Sequence, residues 1–200
     1  IITFYPSSPM KKLFTLSIFS ILTQLTFSQS QVQFIGQADG QIELSCQIAN
    51  YQVLNNGIYT SIRLDEGNPI LRAGAPDVEQ ITTSVIVDDQ AEMSVVVTHA
   101  TFEEFHDVYI RPSKGNLLRT VDPETIPYQE GEAYSQDAFY PGALASLGKA
   151  YVQRQFRGQS VHFYPVQYNP VTHTLRLYSS IDVTVSETGT PGFNPLPAYV

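Results

Sequence analysis

The sequence has no tryptophan, a single cysteine, and only 11 lysines and arginines against 19 acidic residues. One cysteine excludes an internal disulfide. Cys46 lies in "IELSCQIA", a strand-like run, where a buried inert thiol is expected rather than a nucleophile. So few basic residues, with no Lys/Arg cluster among them, exclude a nucleic-acid-binding surface. Glycine-rich phosphate loops and nucleophile elbows are missing, and no local signature pairs Cys46 with any of the four histidines. His99, Glu103, Glu104 and His106, in "HATFEEFHD", have no established ligand spacing. On a strand, 99 and 103 share one face while 104 and 106 share the other, so the set does not converge on a metal. No metal or cofactor is expected, and the residues present do not read as an enzyme.

Long apolar runs are also scarce. One runs from Leu13 to Phe27, inside "MKKLFTLSIFSILTQLTFSQ", after two lysines and before the small residue Ser28. This is the layout of a secretory signal peptide spanning residues 10–28. The run is too short and too interrupted to span a membrane as a helix. Residues 1–9 precede Met10 and are not expected to belong to the fold. Cleavage after Ser28 leaves nine basic residues against 19 acidic ones, a net charge of about −10, on a chain with no membrane contact of its own. About 170 residues are enough for one domain with its own core.

Alternation with period two is abundant. "IYTSIRL" puts Ile58, Thr60, Ile62 and Leu64 on one face; "SIDVTVS" puts Ile181, Val183 and Val185 on one face and Asp182, Thr184 and Ser186 on the other. "TSVIV" and "MSVVVT" are β-branched runs separated by "DDQAE". "VHFYPVQY" and "HTLRLY" flank "NPVT", where Asn and Pro suit a hairpin loop. Only "GALASLGKAY", residues 142–151, could carry a short helix. The fold expected is all-β: an antiparallel, jelly-roll-like β-sandwich with at most that one helix. Residues 65–80 and 111–142 break the alternation, and irregular segments of such length in a compact domain are usually functional. The domain is expected to span 31–187, with 188–200 an exposed linker and the natural chain expected to continue past Val200.

"RPSKGNLLRTVDPETIPYQEGEAYSQDAFYPG" and "FRGQSVHFYPVQYNPVTHTLRLYSSIDVTVSE" together resemble the propeptide of gingipain-type cysteine peptidases. The likeness is strong from Ala75 to Glu187 and weaker from Val32 to Gly74. Two departures stand out: "PDVE" at 76–79 where the family has "PxLP", and "RPSKG" where it has "APSKG". The resemblance implies a β-sandwich that sits on a cysteine peptidase domain C-terminal to it in the same chain. Such a propeptide assists folding and maintains latency until proteolysis removes it. It also implies export to the periplasm of a Gram-negative bacterium, then type IX secretion to the cell surface or exterior. In arginine-specific members the arginine of "SKG…R" enters the primary specificity pocket, and that position here is Arg119. A lysine-preferring partner stays open, as does a second class of protein, a free-standing cell-surface binding or adhesion module.

The residues around Arg119 fit a pocket-filling role. Endopeptidases bind substrates extended, and the residues before Pro123 and Pro127, Asp122 and Ile126, are biased to extended conformations. Arg111 is followed by Pro112, which has no N–H on the leaving-group side. Lys114 is followed by flexible Gly115. Arg119 instead follows Leu117 and Leu118 as apolar anchors, with Thr120, Asp122 and Pro123 completing the supporting loop. A guanidinium fork suits a buried pocket carboxylate.

Overall fold

The computed structural model describes residues 31–197; the expected signal peptide and residues 1–9 lie outside them. Strands β1 (Val32–Ala38), β2 (Gln41–Gln47), β3 (Tyr51–Asn56), β4 (Tyr59–Leu64), β5 (Asn68–Pro69) and β6 (Glu79–Ile86) come first. β7 (Ala91–Phe105) and β8 (Ala145–Leu147) flank the long irregular segment, and β9 (Tyr151–Gln153), β10 (Phe156–Phe163), β11 (Val166–Asn169) and β12 (Thr174–Pro191) follow. Helical structure among the described residues is limited to 3-10 turns at Pro123–Thr125 and Glu132–Ser135.

Two antiparallel sheets enclose one core. In the first, β12 is central: β2 and β11 pair successive parts of one side, β7 pairs the other, and β1 adds to β2. In the second, β10 is central, with β6 and then β5 on one side and β8 and β9 on the other. β3 and β4 form a separate hairpin. The core follows from alternation: Ile42, Leu44 and Cys46 of β2 and Ile181, Val183 and Val185 of β12 pack with Ile81, Val161, Phe163 and Val166. Each such aliphatic side chain contributes about 1.5–3 kcal/mol on burial. The "NPVT" hairpin closes as expected, with Asn169 opposite Thr174.

Residues 142–151, the stretch that could carry the one short helix allowed, form strand instead: Ala145–Leu147 make β8, because β10 offers an open edge and takes Ser146 opposite His162. Two expectations are corrected. Ile58 does not join Ile62 and Leu64 in the core; it occupies the β3–β4 turn and is 75% exposed. The chain does not leave the domain after Glu187, because β12 runs to Pro191. Beyond it, Arg157, 1% exposed, holds the strand's continuation. Its guanidinium donates to the carbonyls of Asp88, Ala91, Phe193 and Asn194 at 2.6–3.2 Å. Leu196 is buried as well, its N–H bonded to Asp89 O at 2.9 Å.

Cys46 is fully buried in β2, and burial pushes its thiol up to about 12. A thiol so seldom ionised is no nucleophile. The His/Glu set is spread along β7 and just past it. Glu104 pairs Arg176 at 2.8 Å and His106 at 3.7 Å, while His99 stands opposite Asp182. No group of three potential metal ligands forms among the described residues.

Candidate functional site

The two irregular segments, 65–80 and 111–142, are joined backbone to backbone. Asp77 N donates to Arg111 O (2.9 Å), Ser113 N to Ala75 O (2.7 Å) and Gly74 N to Ser113 O (2.9 Å), so 111–113 runs antiparallel to 74–77. Gly131 N then bonds Gly74 O at 2.8 Å. Gly74 has φ +76°, and a Cβ there would lie 3.1 Å from Gly131 Cα. Only glycine meets both conditions.

A charged network braces this base. Asp77 accepts from Arg63 Nη2 (3.2 Å) and Arg111 Nε (3.1 Å), while buried Glu79 accepts from Leu64 N at 2.7 Å and pairs with Arg63 Nη1 at 3.4 Å. Both positions where the sequence departs from the family pattern, 76–79 and 111, thus belong to one network. Arg111 Nη1 also donates to Tyr128 Oη at 2.9 Å. Arg111 is therefore held within the domain.

Residues 113–125 rise from this base as a clamped loop. Lys114 Nζ donates to Pro123 O at 2.7 Å and lies 4.3 Å from the centre of the Tyr128 ring, tying the two limbs together. Asp122 Oδ1 accepts from Glu124 N (3.0 Å) and Asp122 O from Thr125 Oγ1 (2.7 Å), fixing the 3-10 turn that Pro123 opens. Leu117 is half-buried and, with Arg63, Leu71, Asp77, Lys114 and Tyr128, lines a cleft of about 430 Å³ beneath the loop. Val121 N bonds Leu118 O at 2.9 Å, closing a tight turn with Arg119 and Thr120 at its centre. Leu118 is 74% exposed, and Arg119 and Thr120 are exposed beside it.

The arginines divide accordingly. Arg63, Arg111 and Arg176 pair with carboxylates, and Arg157 with four carbonyls. Arg119 has no side-chain hydrogen-bond, ion-pair or ring partner among the described residues, a state it shares with Arg72 and Arg154, which lie outside the 113–125 loop. The sequence reading singles out Lys114, Leu117, Leu118, Arg119, Thr120, Asp122 and Pro123, and the structure brings all of them into one loop. It misses Arg63, Asp77, Glu79 and Tyr128, the residues that hold the loop's base. The only signal for them is an unpaired acid–base pattern across two distant segments, and sequence spacing does not relate those.

These features define a class: a β-sandwich presenting an unpaired arginine on a braced loop. The family model for C25 propeptides matches residues 28–194, and the chain belongs to that family. Gingipain R1 of Porphyromonas gingivalis is 46% identical over 131 residues, 66% of this chain and 13% of that protein. Gingipain R2 from the same species is 37% identical over 175 residues, 88% of this chain and 22% of that protein. The chain thus spans a small part of the length of these relatives. Among solved structures, a complex of Porphyromonas gingivalis RgpB pro- and mature domains matches with TM-score 0.80 and 35% identity, over 86% of this chain and 91% of that one. A structure concerned with zymogenic latency of gingipain K matches with TM-score 0.66 at 19% identity, over 83% and 97%, and shares the fold.

Proposed function

We propose that this propeptide holds a gingipain-like cysteine endopeptidase domain, joined C-terminal to it, latent until proteolytic removal, and assists its folding. Arg119 fills the primary specificity pocket. The observation that carries the reading is the contrast between Arg119, unpaired at the tip of a clamped loop, and Arg111 and Lys114, both engaged within the domain. A loop already fixed in shape loses little conformational freedom on docking, which favours affinity. The braced limbs, with Pro123 and the Asp122 cap downstream, keep the chain after Arg119 in a turn rather than in the extended form that cleavage requires. Inhibition without rapid turnover follows. The peptidase prefers arginine, and the precursor travels through the periplasm to the cell surface or exterior by type IX secretion. The similarity to a complex of pro- and mature domains favours this reading over an adhesion module.

Inhibition constants against the cognate peptidase test it. Arg119→Ala is expected to weaken binding by on the order of 2 kcal/mol or more, because the pocket empties and its carboxylate is left unpaired. Arg119→Lys recovers part of this, since a point charge does not reproduce the guanidinium fork. Arg111→Ala costs far less at the pocket. Full inhibition by Arg119→Ala would overturn the assignment.

A further inference from the structure

The β3–β4 hairpin has an edge that the domain itself leaves open. No charged residue occurs between Glu43 and Arg63. All six residues of β3 are exposed, Val53 by 51% and Leu54 by 50%, although Ile62 and Leu64, opposite Val53 and Tyr51 on β4, are buried. β4 closes the core and β3 overhangs it. The hairpin turns through Gly57 and Ile58, with Gly57 at φ +63°, the glycine position of a type II′ turn. Alternation along an antiparallel pair closed in this way points the N–H and C=O of Tyr51, Val53 and Asn55 away from β4. Among the described residues, β3 pairs with β4 alone. Soluble proteins guard such edges with lysine, proline or a bulge. β3 has none of these.

On its other side, β4 pairs with the chain that leads into the Arg119 loop. Thr60 N donates to Tyr109 O at 2.7 Å, and the ring of Tyr59 lies 6.0 Å from that of Tyr128, the residue that carries Lys114 and Arg111. β3, β4, 109–113 and 74–77 thus form one continuous ledge, with the clamped loop rising from it. We propose that β3 is a second docking element for the peptidase domain, which lays an extended segment along the open edge and covers Val53 and Leu54. The partner's identity rests on the function proposed above. A second copy of this chain is disfavoured as the occupant, because both copies, once cleaved after Ser28, would carry the same net charge of about −10.

Amide hydrogen exchange of the domain, alone and in complex with the catalytic domain, tests this together with dissociation constants. The amides of Tyr51, Val53 and Asn55 are expected to exchange at least tenfold more slowly in the complex. Val53→Pro removes an outward N–H without touching a bond to β4. Leu54→Lys places a charge on the exposed side chain. Each is expected to raise the dissociation constant at least tenfold while the circular dichroism spectrum stays that of the wild type. Unchanged exchange at β3, or unchanged binding by both folded variants, overturns the proposal. So does concentration-dependent dimerisation of the free domain with β3 protected, which would assign the edge to a second copy. Arg119→Ala in the same assay separates the two readings. Wild-type binding by that variant with β3 protected defeats the pocket assignment alone, while weakened binding with β3 unprotected defeats this inference alone.

Discussion

Arginine and lysine in this domain differ in function by what surrounds them, and little of that is visible in their local sequence. Arg119 is singled out as a candidate by residues within a few positions of it, two leucines before and prolines after. Arg157 is not legible: its partners are carbonyls at 88, 91, 193 and 194, brought together only by the packing of β10 against two chain segments distant in sequence. Arg157→Met keeps much of the side-chain volume and strands four carbonyls. It is expected to cost on the order of 3 kcal/mol or more of stability, measured by urea denaturation, because buried polar groups without partners are expensive. Lys114→Met has the opposite profile. It leaves an apolar chain near Tyr128 and deletes the exposed bond to Pro123 O together with the ammonium's contact with the Tyr128 ring. The melting temperature should stay close to wild type, while inhibition of the peptidase weakens several-fold as the loop loses its clamp.

At the scale of elements, alternation located the strands better than their partners. "SIDVTVS" appears with the expected faces and "NPVT" as the expected hairpin loop, since period two and turn chemistry are local properties. Sheet membership is not local. β6 and β7 follow one another in sequence, yet β6 pairs with β10 and β7 with β12, so "DDQAE" crosses between sheets. Residues 142–151 contribute strand rather than the short helix they could have carried for the same reason: their apolar pattern suits either structure, and an open edge on β10 decided the outcome. The joint between the irregular segments rests on glycines. Gly115 has φ +79°, with Ala73 Cβ 2.9 Å from where its own Cβ would lie. Gly115→Ala is therefore expected to destabilise by roughly 1–2 kcal/mol in thermal denaturation, from the left-handed backbone alone. Inhibition should fall as well, because the strain sits beside Lys114.

For the whole molecule, the prevalence of strand predicts a far-UV circular dichroism spectrum with well under about a third helix. Stability should also depend on pH in a definite direction. Burial lowers the pKa of His162, which is neutral beside Thr82 at 3.0 Å, while backbone N–H groups of Gln90 and Ala91 lower that of Asp88. A histidine with a depressed folded pKa takes up protons more readily when unfolded. Its contribution is full above its ordinary value of 6.5 and declines as pH falls below it. The Asp88 contribution holds above its ordinary value of 3.8 and fades as pH falls through its lower folded value. Melting temperatures from pH 8 to pH 3 should decline with acid, and His162→Gln should remove the decline that begins near 6.5. The placement of the two chain ends gives the domain a mechanical polarity. β1 is a border strand whose backbone ladder runs to β2, so traction on the N-terminal end unzips that ladder one hydrogen bond at a time. β12 lies between neighbours on both sides and is cleated by Arg157 just beyond its end, so traction on the C-terminal end loads whole ladders in shear. Forced unfolding is governed by the rate of barrier crossing rather than by equilibrium stability. A motor or tether gripping the C-terminal end therefore meets a much stiffer object than one gripping the N-terminal end.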